Sequence, residues 1–353
     1  MSLLVIYPPS DDPADMMRLD HILEDTLSDI DHIFIRDMSS LKDLKGQRIL
    51  FAVPLGRYGL NTAYAGLLYR LRSEPALLEN SISAMIIDGD SELFTKSTAT
   101  ELAFAINFSG SALIGRSVVE GTGSLANLRV QAKLLGTDLM GAYLAASREL
   151  TERLLLTKPE QKDRPKLLAL HASSHRTSNT MQLWNKVSEQ LRDSMDISEM
   201  GLRNGTISDC SGCPYTMCIH FGEKGRCFYG GLMQEEVWPS VLKSDALVML
   251  CPNYNDALSA NLTAFINRLT GLFRQQRFYD KAVFAIIVSG YSGGDIVARQ
   301  VISALSMNKS FYLPSRFAMI ETANDPGEAL RLPEIECRLN GFAGHIKSTL
   351  CRA

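Results

Sequence analysis

The sequence predicts an α/β protein of two tandem domains, each a doubly wound, mostly parallel sheet of about five strands. Three observations carry that expectation. Short apolar runs alternate with helical patterns along all 353 residues, the rhythm of βαβ units. The runs are continuous rather than alternating, as in strands covered on both faces by helices. The halves also repeat one another: Pro54 to Leu60 and Pro252 to Leu258 are each six residues, and Pro54 to Arg70 and Pro252 to Arg268 are each sixteen, the mark of a duplicated unit.

In chain order, LLVIY is the first strand and Pro8–Asp15 its acidic turn. The start of the chain has no basic n-region, so it reads as structure and not as a signal peptide. HIFI, RILFAVP, AMIID and ALIGR follow as strands, and LANLRVQAKLLGTDLMGAYLAAS closes the half as helix. The polar segment ending at Pro165 carries two prolines and reads as a linker. The expected domains are therefore 1–157 and 166–353, joined by 158–165. The second half runs through LLALHA, ALVMLCP, AVFAIIVSG and SFYLP and ends in the helical EALRLPEIECRLNGFAGHIKST.

Composition excludes several classes. Hydrophobic residues make up 46 % and charged residues 21 %, with a net charge of −3. That is no basic nucleic-acid surface. No apolar run is long enough to cross a bilayer. A cytoplasmic location is expected, where clustered cysteines stay reduced and more often bind metal or act in redox chemistry than form disulfides.

The second half carries the chemistry. Strand LLALHA leads to Ser173-Ser-His-Arg176-Thr-Ser-Asn-Thr180 and then a helix. Hydroxyls, backbone N–H groups and a helix N-terminus suit an anion, and Arg176 adds a charged donor. Simple N-capping by Ser178, Asn179 or Thr180 is the plainer reading. Strand ALVMLCP ends at Pro252-Asn253-Tyr254, with Ser259-Ala260 opening the next helix. Strand AVFAIIV ends at Ser289-Gly290-Tyr-Ser-Gly293-Gly294-Asp295. All three loops follow strand C-termini, where open α/β sheets bind ligands. Phosphate donors, an aromatic ring and glycines permitting close approach together suit a mononucleotide with a flat ring, FMN.

These motifs resemble the flavodoxin-like NAD(P)H-dependent FMN reductases, and within them the iron–sulfur flavoproteins. The phosphate loop of that family has the form S-P-R-x-x-x-N-T; here Ser174-His-Arg176-Thr-Ser-Asn179-Thr180 is one residue shorter, with His175 for proline. The second loop is similar to P-x-Y-x-x-x-x-S-A-x-L-K-x-F-I-D-R, with Thr263 for lysine and Asn267 for aspartate. The resemblance covers about residues 165–320. It implies FMN held by Ser174, Arg176, Ser178, Asn179, Thr180, Pro252, Asn253, Tyr254, Ser259, Ala260, Ser289, Gly290, Gly293 and Gly294.

Cys210, Cys213, Cys218 and Cys227 stand where the iron–sulfur members carry a compact cysteine motif, with longer second and third gaps. Four thiolates in so short a loop suit one [4Fe–4S] cube or tetrahedral zinc; free thiols are the third reading. Cys251, Cys337 and Cys351 read as packing residues.

The first half keeps none of this. Its first loop holds Asp11, Asp12 and Asp15 and no arginine, its third is the acidic Asp88–Glu92, and no cysteine precedes Cys210. Carboxylates repel phosphate, so a copy without cofactor is expected, serving as a built-in partner in an intramolecular pseudo-dimer or in a homo-oligomer.

The expected function is a flavin-dependent oxidoreductase. FMN accepts a hydride from NAD(P)H and passes electrons to the cluster or to a small soluble acceptor. The alternatives are an electron-transfer flavoprotein served by a reduced carrier without a nicotinamide site, a plain FMN reductase with zinc or free thiols, and a zinc scaffold without flavin. No nucleophile–His–acid arrangement points to hydrolysis, and no catalytic side chain is assigned.

Overall fold

A computed structural model describes residues 2–173 and 177–352. The chain divides into two compact units, Met1–Lys158 and Pro159–Ala353. The predicted linker is not a free tether at its far end. Lys162 forms a bridge to Cys351 and its Nζ donates to Asp245 at 2.8 Å, so this stretch is tied to the second unit.

The first unit runs β1 (Leu3–Ile6), α1 (Met17–Thr26), β2 (His32–Ile35), β3 (Arg48–Leu55), α2 (Thr62–Ser73), β4 (Ile82–Gly89), α3 (Thr95–Phe108), β5 (Ala112–Gly121), α4 (Arg129–Leu135) and α5 (Leu139–Leu156). Its sheet has the order β2-β1-β3-β4-β5, all parallel. The second unit runs β6 (Lys166–His171), α6 (Asn179–Leu191), β7 (Asp196–Gly201), α7 (Tyr215–Gly222), α8 (Trp238–Lys243), β8 (Ala246–Pro252), α9 (Ala260–Phe273), β9 (Ala282–Ser289), α10 (Gly294–Val301), β10 (Ala318–Thr322) and α11 (Ile335–Leu350). Its order is β7-β6-β8-β9-β10, again all parallel. Both are the flavodoxin-like 2-1-3-4-5 arrangement, whose crevice lies where the strand order reverses.

The apolar runs became strands because helices cover both faces. Every residue of β4 and β9 is buried. Two expectations need correction. The run SFYLP forms no named strand; it makes an isolated bridge, Tyr312 to Ala282, and the fifth strand is β10. The edge strand β7, DISEMG, has no buried residue, so it carries no apolar run to read.

The repeat reaches the backbone. In the first unit Ile82 pairs with Ala112 and Met85 with Val118; in the second, Ala282 pairs with Tyr312 and Ala285 with Ala318. Every member is shifted by 200, including the irregular step. Left-handed residues recur at the same shift: Gly110 and Ser310, Arg116 and Arg316.

Candidate functional site

The C-terminal ends of β6, β8, β9 and β10 open into a cleft of about 580 Å³, within the usual size of small-molecule sites. Each wall follows from a strand ending in a loop that cannot continue the sheet. Beyond β8, Tyr254 and Ala257 close a tight turn through left-handed Asn255 and Asp256. Beyond β9, Gly293 caps α10 at φ +88°, and a Cβ there would collide with the Asp256 carboxylate. Two tyrosines stand out from the rim, Tyr254 at 63 % and Tyr291 at 81 % exposure.

Of the predicted residues, Ser178, Asn179, Thr180, Pro252, Asn253, Tyr254 and Gly290 line this cleft. Ser174 and Arg176 lie outside the described residues. Ser289 sits just behind it, its Oγ accepting from Asn253 Nδ2 at 2.9 Å. Ser259, Ala260, Gly293 and Gly294 are not among the lining residues. Ser259 Oγ is buried without a partner, and Gly294 packs against Ile320.

Side-chain roles differ from the motif reading at two positions. Asn179 is a clamp: its Nδ2 donates to Asp325 O at 3.0 Å, and its Oδ1 accepts from Gly327 N at 2.9 Å and Ala329 N at 3.3 Å. It thereby fixes the segment after β10, whose Ala323, Asn324 and Pro326 form a wall that sequence reasoning missed. The Glu328 carboxylate braces the same turn, accepting from Asn324 N and Asp325 N, which hold it below the usual carboxylate range. The Pro326-Gly327 pair was a turn signal in the sequence. Asn253 ties the two glycine-side loops together, donating to Ser289 Oγ, Ser292 O and Asp256 Oδ1.

Hydroxyls remain available where an anion would sit. Ser178 is the N-cap of α6 yet makes no capping bond; its Oγ lies 2.9 Å from Thr180 Oγ1. His171, at the head of β6, is half-buried, and burial pushes its imidazole below the usual histidine range.

A second cavity, about 100 Å³, lies in the same unit. Cys210, Cys213, Cys218 and Cys227 all line it, with Asp209, Asn267 and Arg268. The sequence placed these thiols in one loop, and the fold turns them toward one space. Among the described residues no three Cys, His, Asp or Glu side chains close around a point as metal ligands would. Donor type and number suit a soft metal centre; closing it would draw the thiols inward. Of the remaining cysteines, Cys251 is buried, with its thiol pushed far up by burial. Cys337, expected to pack, is exposed.

In the first unit the strand ends are occupied by its own side chains. Arg18 reaches from α1 to the Asp88 carboxylate at 2.9 Å and 3.0 Å. It also donates to the carbonyls of Gly89, Gly121 and Gly123. Tyr143 donates to the same carboxylate at 2.9 Å. Asp88 is 3 % exposed, and burial holds it above the usual carboxylate range although Arg18 pulls it down.

Residues 165–325 match the family model described as NADPH-dependent FMN reductase, so the family likeness lies in the second unit. No curated protein matches the chain. Among solved structures, an NAD(P)H:quinone oxidoreductase from Methanothermobacter marburgensis is similar at 15 % identity, covering 54 % of this chain and 100 % of its own, with a TM-score of 0.42. An azoreductase from Bacillus anthracis is similar at 13 % identity, covering 51 % of this chain and 97 % of its own, with a TM-score of 0.40. No helix among the described residues is long and apolar enough to cross a membrane.

Proposed function

We propose that the second unit binds one FMN in the strand-end cleft and that the chain is an NAD(P)H-dependent flavin oxidoreductase. The observation that carries this is a cleft at the topological switch point, inside the segment that matches the FMN reductase family. When bound, FMN supplies hydride acceptance from a nicotinamide and electron release to an acceptor.

The chain's own part is binding and orientation. Ser178, Thr180 and the free N–H groups of the first turn of α6 meet the phosphate, with Arg176 as the charged donor. Tyr254 and Tyr291 flank the flat ring. Asn253 and Asn179 hold the surrounding loops in place. The first unit takes no flavin, because Arg18, Asp88 and Tyr143 fill the corresponding space. The finer part of the proposal is that electrons pass to a [4Fe–4S] centre held by Cys210, Cys213, Cys218 and Cys227. Zinc in the same four thiolates would make the protein a plain FMN reductase.

FMN titration of the purified chain tests the main reading. One FMN per chain is expected, reducible by NADH or NADPH. Arg176→Ala should weaken binding by about 1.5–3 kcal/mol. A chain that takes up no FMN would overturn the proposal.

A further inference from the structure

The cysteine cavity contains a buried charge that no ion pair among the described residues neutralises. Arg268, on α9, is 5 % exposed and lines the cavity beside the four cysteines. Its guanidinium donates to Gly230 O at 2.6 Å and to Ser208 Oγ at 3.4 Å, both neutral acceptors. It enters none of the ion pairs between described residues. The carboxylate that lines the cavity, Asp209, is exposed and spends one oxygen on Cys210 N and Asn267 Nδ2. Arg226 adds a second cation to the lining. A buried guanidinium without a counter-charge is unfavourable unless an anion joins it.

The first unit shows what such an arginine does when no anion is needed. The buried residues Tyr64, Leu67, Leu68 and Leu71 of α2 match Leu262, Phe265, Ile266 and Leu269 of α9, each 198 further on. The same shift sets Arg70 against Arg268. Arg70 has its carboxylate four residues later, pairing with Glu74 at 2.5 Å. Adding 198 to 74 gives 272, and residue 272 is leucine. The second copy has the arginine and the cysteine segment but no carboxylate at the matching position.

We propose that Arg268 is the counter-cation of an anionic, thiolate-bound metal centre formed by Cys210, Cys213, Cys218 and Cys227. This rests on the reading of those cysteines as ligands. Four thiolates around a divalent ion leave a net dianion, and an iron–sulfur cube with four thiolates is likewise anionic. Either centre supplies the charge that Arg268 lacks. Arg268 then acts as a positioning and electrostatic residue rather than a ligand, and it is the charge that matters.

The test is cobalt(II) titration of anaerobically reduced, metal-free full-length protein, read by the thiolate-to-cobalt absorption band, with FMN affinity measured on the same samples. Wild type should bind one cobalt per chain. Arg268→Gln should bind it at least about tenfold more weakly, whereas Arg268→Lys should stay close to wild type. Ser208→Glu, at the exposed residue whose Oγ meets the Arg268 guanidinium, supplies a competing carboxylate and should also weaken cobalt binding. FMN affinity should be the same throughout. Wild-type cobalt affinity in Arg268→Gln overturns the proposal, as does an equal loss in the lysine and glutamine variants. If Arg268→Gln does not fold, Ser208→Glu decides, and wild-type affinity there overturns it. Wild type without a cobalt–thiolate band overturns the ligand reading and this proposal together. FMN uptake reports on the flavin reading separately.

Discussion

The two units share one backbone and end their strands in opposite ways. In the first, Arg18, Asp88 and Tyr143 knit the strand ends shut; in the second, the same region is an open cleft. The residue shifts identify what changed. Leu19, Ile22, Leu23 and Thr26 of α1 match Trp184, Val187, Ser188 and Leu191 of α6, each 165 further on, which sets Arg18 against Leu183. Pro54 pairs with Asp88 and Pro252 with Val288, which sets Asp88 against Val288. Tyr143, Ala146, Leu150 and Leu154 of α5 match Leu339, Phe342, Ile346 and Leu350 of α11, each 196 further on. Thus a polar triad in one copy is leucine, valine and leucine in the other. Val288 lines the cleft without reaching upward, while the long hydrogen-bonding side chains of the first unit fill the space above its sheet.

The comparison is broken most severely by removing one member of the triad. Arg18→Ala leaves the Asp88 carboxylate buried with only Tyr143 beside it. Thermal and urea unfolding should show a loss of about 3–5 kcal/mol, toward the lower figure because Arg18 is partly exposed. Replacing all three with their counterparts (Arg18→Leu, Asp88→Val, Tyr143→Leu) should cost far less, since no charge is left stranded. If the triple variant is less stable than Arg18→Ala, the correspondence between the copies is wrong. FMN affinity should not respond to either variant.

A smaller effect separates the caps of α3 and α10. Both are left-handed, but Phe94 occupies one and Gly293 the other. The backbone alone therefore tolerates a side chain; what excludes it in the second unit is Asp256. Gly293→Val should cost about 1–3 kcal/mol in stability and displace the Asn253–Asp256 loop, with a clear fall in FMN affinity by fluorescence titration. Full FMN occupancy in a folded variant would separate this loop from the binding site.

How much of this was legible depended on how locally it was encoded. Buried strands announce themselves as apolar runs because both faces are covered, and the repeat spacing survived because helix and strand lengths are fixed by packing. The edge strand β7 was missed because exposure frees its sequence. SFYLP is apolar because Phe311 and Leu313 are fully buried, yet it joins the sheet only through the bridge of Tyr312 to Ala282, too short to make a strand. In the cleft, seven of the expected residues line one space, but their hydrogen-bond partners were not legible. Asn179 carries a phosphate-loop motif position, while its hydrogen bonds go to residues nearly 150 positions away, a distance no local pattern reports. The unpaired charge of Arg268 was invisible for the same reason: it exists only when burial is known.

The mildest contrast concerns the caps of α2 and α9, which stand 198 residues apart. Asn61 caps α2 by accepting from Tyr64 N at 2.8 Å, and its Nδ2 donates to Pro8 O and Pro54 O at 3.0 Å and 2.8 Å. One side chain thus joins the ends of β1 and β3 across the switch point. Ser259 stands at the same position before α9, makes no capping bond and leaves its Oγ unpaired. A serine hydroxyl is too short to bridge two strand ends, and among the described residues Ser259 Oγ reaches neither. Asn61→Ala should therefore lower stability by about 1–2 kcal/mol, the cost of a lost cap with two further bonds. Ser259→Ala removes a buried hydroxyl that satisfies nothing, so its stability should stay within about 0.5 kcal/mol of wild type. Chemical denaturation of the two single variants measures both. Equal losses would mean that Ser259 does the work of Asn61, and that the second unit's strand ends are held together after all.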